Sequence, residues 1–191
     1  FRDAADKHEQ AAQIQPDRHT AWFNWGNALG SLAELAEAED PERAESLFRD
    51  AADKYEQAAQ IQPDDYTARA IWGNVLHSLA GLAEAEDPER AESLFRDAAD
   101  KYEQAIHIQP DTHAAWVNWG NTLQSLAGLA EAEDPERAES LFRDAADKHE
   151  QAAQIQPEDY TAWFNWGNAL GSLAGLARTG DPKRAESLFR D

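Results

Sequence analysis

The chain has 191 residues, a net charge of −20 and no cysteine. The missing cysteine removes disulfides, thiol chemistry and cysteine zinc sites, and the acidic balance argues against nucleic acid, whose phosphates need a Lys/Arg footprint. The same charge is unfavourable for anionic membranes and attracts basic partners, while also keeping the chain soluble; no apolar run approaches the roughly 18 residues of a membrane span, and no signal-peptide pattern opens the chain.

The first sixteen residues, FRDAADKHEQAAQIQP, return almost unchanged at 48, 95 and 142. Phe1, Phe48, Phe95, Phe142 and Phe189 stand 47 residues apart, which divides the chain into repeats 1–47, 48–94, 95–141 and 142–188, with 189–191 starting a fifth. A fixed period of this size marks a single repeat array over 1–191, whose working surface is assembled from equivalent positions of successive repeats. Phe1 falls inside a repeat and no Met precedes it, which reads as a segment excised from a longer array.

Residues 1–15 have the apolar spacing of the later part of a helix, a partial helix B. Residues 20–39, TAWFNWGNALGSLAELAEAE, place Trp22, Trp25, Gly26, Leu29, Leu32, Ala33 and Ala36 on one arc at 100° per residue. Thr20, Phe23, Asn24, Asn27, Gly30, Ser31 and Glu34 fall on the other arc, so this is an amphipathic helix, helix A, over about 19–39. Asp40-Pro41 ends it and starts the next: Asp is a favoured N-cap, and Pro at the first helical position lacks only an N–H that has no partner there. Helix B then runs over about 41–62 on a stripe of Ala44, Leu47, Phe48, Ala51, Tyr55, Ala58 and Ile61 or Gln62, and Pro63 stops it. Asp64, Asp65 or Thr67 can cap the following helix A. The pattern predicts further pairs at 66–86/88–109, 113–133/135–156 and 160–179/182–191. Neither helix buries its stripe alone, so each pair must stack on the next. The fold class is all-α, an α-solenoid of antiparallel helix pairs.

The residues resemble the tetratricopeptide repeat family. Trp22, Trp25-Gly26 and Leu29 match the first half of its signature, and Ala51, Tyr55, Ala58 and Pro63 the second. Each unit exceeds that family's 34 residues, and the extra length falls within Leu32–Leu47, across the Asp-Pro turn. The resemblance implies a right-handed superhelix, with the A helices lining a concave surface that holds ligands.

On that implied surface the repeats differ. Phe23 becomes Ala70, Val117 and Phe164; Asn24 becomes Ile71, Asn118 and Asn165; Gly30 becomes His77, Gln124 and Gly171. Asn27, Asn74, Asn121 and Asn168 recur throughout. An amide offers a donor and an acceptor, and so matches the N–H and C=O of an extended peptide. The same Asn can instead bond neighbouring backbone or bridge adjacent repeats. The candidate ligand-binding residues are therefore Phe23, Asn24, Asn27, Asn74, His77, Val117, Asn118, Asn121, Gln124, Phe164, Asn165 and Asn168. The family's carboxylate clamp needs Lys and Arg at these positions. Only Arg69 is basic nearby, where the other repeats have Trp22, Trp116 and Trp163.

The six histidines show no metal-ligand spacing, except that His107 and His113 lie near the same turn; His8 and His149 stand where other repeats have Tyr55 and Tyr102, which assigns them to packing. No phosphate loop or nucleophile motif occurs. The expectation is a non-catalytic scaffold without cofactor or metal that binds a protein, an extended peptide or a partner helix on the A-helix face. The alternative is a self-stacking scaffold, natural or engineered, that assembles head to tail through its terminal repeats. Departures at Arg178, Thr179, Gly180 and Lys183 are those of a capping repeat, which opposes indefinite stacking.

Overall fold

The computed structural model describes residues 1–180, with side chains through 176. The Asp181-Pro182 step, the helix expected over 182–191 and the side chains of Arg178, Thr179, Lys183 and Phe189 lie outside the described residues. Among the described residues there are eight helices and no strand: α1 Arg2–Ile14, α2 His19–Ala36, α3 Pro41–Ile61, α4 Tyr66–Ala83, α5 Pro88–Ile108, α6 His113–Ala130, α7 Pro135–Ile155 and α8 Tyr160–Gly180. They form two compact units, which divide between Gln109 and Pro110. In the first, α2 packs between α1 and α3, and α4 between α3 and α5. In the second, α7 packs against both α6 and α8.

The Asp-Pro steps set the boundaries. Asp40, Asp87 and Asp134 each accept a backbone N–H three residues on, from Arg43 at 3.1 Å and from Arg90 and Arg137 at 3.0 Å. An N-cap must be extended, and Asp40 has φ −147°; a residue before proline also avoids the α region. The chain therefore leaves helix A early. α2 ends at Ala36, and residues 37–39 turn rather than continue the helix to 39. Asp40 N–H closes that turn on Ala36 O at 2.7 Å. At the other end of the repeat, Asp65 caps α4 by accepting from the N–H groups of Thr67 and Ala68.

Phe48, Ala51, Tyr55 and Ala58 of α3 are buried against α2 and α4, as are Phe95, Ala98, Tyr102 and Ala105 of α5 against α4. Ile61 departs from its stripe and is exposed, while Ala59 is buried in its place. The A helices are buried more widely than one arc. Ala21, Ala28 and Gly30 of α2 are buried along with Gly26, Leu29, Ala33 and Ala36. The reason is that α2 has a B-type helix on each flank, α1 on one and α3 on the other.

Candidate functional site

The recurring Trp-Gly-Asn step of helix A is built around the aromatic of helix B. Gly26 has no Cβ because there is no room for one: it would stand 2.9 Å from Tyr55 Cζ. One residue on, Asn27 Oδ1 accepts the Tyr55 hydroxyl at 2.7 Å. The next repeat copies the arrangement, with Gly73 under Tyr102 and Asn74 Oδ1 accepting its hydroxyl at 2.8 Å. Burial, and then the charge of Glu34, push the Tyr55 phenol well above its ordinary pKa of 10.0, so it stays a hydroxyl donor at any physiological pH.

The third helix pair, α6 with α7, solves the same problem differently. His149 replaces the tyrosine, is fully buried, and its ring crowds Gly120. A shorter ring does not bring a hydroxyl to Asn121. Instead His149 Nε2 meets Gln124 Oε1 at 3.0 Å, the residue that stands where the first repeat has Gly30. Because Gln124 Oε1 only accepts, Nε2 carries the proton and Nδ1 is left buried without a partner. Burial pulls the imidazole pKa down to about 4. Asn121 Oδ1 accepts from Asn165 Nδ2 at 2.9 Å, which ties α6 to α8.

In the first unit these positions open onto a cleft of about 260 Å³ between α2 and α4. Asn27, Ser31 and Glu34 line it from α2, and Ile71, Asn74 and Ser78 from α4. Tyr55 and Phe48 also reach it. The oxygen of Asn27 is taken by Tyr55, so what this amide offers a ligand is its N–H₂ end. Ser31 and Ser78 add hydroxyls, and Glu34 a carboxylate where the other repeats have Gly81, Gly128 and Gly175. Ser31 and Ser78 continue the asparagine face by one further turn of helix, and Glu34 by two; that spacing was the signal for Ser78 and Glu34, which the asparagine series alone does not include.

The remaining predicted residues are scattered. Phe23 packs edge-on to Tyr55 with centroids 5.9 Å apart and stacks on His19. Asn24 is exposed. His77 is half-buried, edge-on to Phe95 at 5.1 Å, and burial lowers its pKa. Asn118 is half-buried, and its carbonyl accepts the Thr122 hydroxyl. Val117 is buried in a cluster with Ala152, Ala153 and Ala162, so it presents no surface to a ligand. Phe164 is exposed and stacks on Tyr160, and Asn168 is exposed.

A second recurring element lies at the start of helix A. Trp22, Trp116 and Trp163 each donate their indole N–H to a proline carbonyl, Pro16, Pro110 and Pro157, at 2.8, 2.8 and 2.9 Å. The preceding cap and first helical positions alternate along the chain, Arg18-His19, Asp65-Tyr66, Thr112-His113 and Asp159-Tyr160. His19 Nε2 lies 2.7 Å from Asp65 Oδ2, and His113 Nε2 lies 3.1 Å from Asp159 Oδ2. Among the described residues no group of three or more His, Cys, Asp or Glu is placed to hold a metal ion, and no helix is long and apolar enough to cross a membrane.

Comparison with known proteins adds the following. The family profile described as plant-specific mitochondrial import receptor subunit TOM20 matches residues 1–71 and 65–162. Two structures of MamA, one of residues 41 to the end from Desulfovibrio magneticus RS-1 and the other of an RS-1 ArsTM double mutant, share the fold. They superpose with TM-scores of 0.58 and 0.59 at 15% identity, over 99% of this chain and 81% of theirs. TTC0263, a thermophilic TPR protein in Thermus thermophilus, gives 0.49 at 16% identity over 87% of this chain and 88% of its own. None of the curated proteins matches in sequence. The fold is that of the tetratricopeptide and related helical-pair repeats.

Proposed function

The chain belongs to the family of plant-specific mitochondrial import receptor subunit TOM20, and from that premise we propose that it is a non-catalytic receptor scaffold whose A-helix face holds an extended peptide or a partner helix. The observation that carries this reading is the cleft between α2 and α4, where Asn27 and Asn74 occupy equivalent positions with Ser31 and Ser78 one turn further on. A receptor for many different chains gains from contacts to groups every peptide shares. Amides and hydroxyls at a helical repeat do that, because they bond backbone rather than particular side chains. Ile71 and Val75 give the same cleft apolar wall. The partner chemistry that fits is basic. The chain carries −20 overall, and Glu34 adds a carboxylate at the cleft itself; targeting peptides for mitochondria are amphipathic, Arg- and Ser-rich and poor in acids.

The test is fluorescence anisotropy with a labelled peptide of that composition. Replacing both Asn27 and Asn74 by Ala should weaken binding by about tenfold, since each lost hydrogen bond contributes roughly 0.5–1.5 kcal/mol. Unchanged affinity in the folded double variant removes this face from the site.

A further inference from the structure

The second repeat breaks the tryptophan–proline rule, and it does so where a cleft opens. The residue equivalent to Trp22, Trp116 and Trp163 is Arg69. Its guanidinium is anchored sideways: Nε donates to Gln104 Oε1 at 3.1 Å and Nη1 reaches Asp65 O at 3.5 Å. Beside it is a cleft of about 440 Å³ lined by Pro63, Arg69, Glu103, Gln104, His107 and Ile108. Pro63 is the equivalent of the three prolines whose carbonyls accept an indole N–H elsewhere in the chain. A second departure falls on the same wall. His107 stands where the neighbouring repeats have Gln60 and Gln154. Two changes 38 residues apart in sequence, Arg69 and His107, thus meet at one cleft.

We propose that this cleft receives an aromatic side chain, tryptophan before phenylalanine, presented by a partner protein. The sibling repeats show the occupant and its bond. In each of them an indole donates to the proline carbonyl and lies beside a second tryptophan, with ring centroids 5.7, 5.8 and 5.4 Å apart. In the second repeat the chain supplies no such indole at position 69. The walls suit an aromatic guest. Pro63 and Ile108 are apolar, the Pro63 carbonyl is the acceptor type that Trp22 uses, and the Arg69 guanidinium is a planar cation that stacks on aromatic faces. Glu103 on the same wall balances Arg69, so the site favours a neutral ring over an anion. Its volume is within the range of sites that enclose a small ligand or side chain. Pro63, Glu103 and His107 are exposed, so the opening faces solvent and a chain running past can insert a side chain.

The site is separate from the asparagine cleft and does not rest on the peptide-receptor reading. The test is an NMR titration of the full chain with N-acetyl-tryptophanamide and with the peptide acetyl-Gly-Gly-Trp-Gly-Gly-amide. Both should cause saturable shifts at Arg69, His107 and Ile108, with a Kd of about 1 mM for so small a contact. N-acetyl-alaninamide should cause none. Arg69→Trp imports the sibling residue, fills the cleft from within and should weaken binding at least tenfold. Ile108→Asp, which puts a charge in the wall, should do the same and serves if Arg69→Trp fails to fold. In the Asn27→Ala/Asn74→Ala variant the shifts at Arg69, His107 and Ile108 should titrate with both probes as in the parent. Absence of saturable shifts, or equal shifts in Arg69→Trp or Ile108→Asp, overturns the proposal. Binding of the free amide but not of the peptide overturns the assignment to a partner's side chain.

Discussion

Gly73 lies directly beneath the ring of Tyr102, so close that a Cβ on this glycine would stand 2.8 Å from Tyr102 Cε1. Eight residues along the same helix, Gly81 faces nothing within 4 Å. The pair separates helix propensity from packing. Gly81→Ala should stabilise the protein by about 0.5–1 kcal/mol, the usual gain in an exposed helix interior. Gly73→Ala has the same propensity gain but must displace a buried ring, which costs about 1–3 kcal/mol. Urea denaturation should therefore move the midpoint up for Gly81→Ala and down for Gly73→Ala.

His149 makes stability depend on pH. Its folded pKa is depressed to about 4 from the ordinary 6.5 because its burial disfavours the cation. The unfolded chain then binds a proton that the folded chain refuses, so stability falls with pH. The contribution is complete above 6.5 and is lost progressively down to about 4. It amounts to about 3 kcal/mol at one unit per 1.36 kcal/mol. His149→Tyr copies the sibling repeats and removes this titration. Comparing urea midpoints at about pH 7.5 and pH 5, the variant should lose distinctly less stability than the parent. An equal loss would show that His149 is not the responsible group.

The Asp-Pro caps should each matter by a similar amount. Asp87 Oδ1 accepts from Arg90 N–H at 3.0 Å. Asp87→Ala should destabilise by about 1 kcal/mol, whereas Asp87→Asn keeps an acceptor and should cost far less. Circular dichroism during thermal melting measures both.

Arg90 also reaches out of its own helix. Its Nη2 lies 2.7 Å from Glu45 Oε1, linking α5 to α3. That bond, ahead of the paired charges, holds the Glu45 carboxyl below its ordinary 4.5, so the stabilisation is present above that value and disappears as pH falls through the folded pKa. Both side chains are about a third exposed, so Arg90→Ala should cost no more than about 1 kcal/mol. The difference from the parent should shrink in about 0.5 M salt; a loss that salt does not change points to packing instead.

The helix pairs were legible because three local signals agree: the 3.6-residue apolar period, the Asp-Pro starts and the Pro stops. His149 was legible as a packing residue, since it shares a register with Tyr55 and Tyr102. Val117 was not. Its position on α6 belongs to the polar arc, and it is buried in a cluster with Ala152 and Ala153 of α7 and Ala162 of α8, against which Trp116 and Trp166 also pack. That depends on a neighbouring helix and leaves no mark on the period of its own. Asn27 and Asn74 could be assigned to a ligand or to structure from sequence, because an amide serves either. The tyrosine hydroxyls engage their oxygens and leave the cleft to be recognised by the serines and Glu34 around it. Arg69 was visible as an exception, but its cleft takes walls from two helices and a loop.

The contacts of His19 with Asp65 and of His113 with Asp159 give the chain a parity. A histidine-opening repeat needs an aspartate-opening one after it, whereas the tyrosine-opening repeat at Tyr66 is followed in the sequence by Thr112-His113. The unit that can be copied or removed without leaving a histidine beside the wrong neighbour is therefore two repeats long. Removing the second repeat alone would set Thr112 after His19 and forfeit that contact; removing the second and third together would set Asp159 there and restore it. Lengthening or shortening such an array, by recombination or by design, is least disruptive when done in even steps.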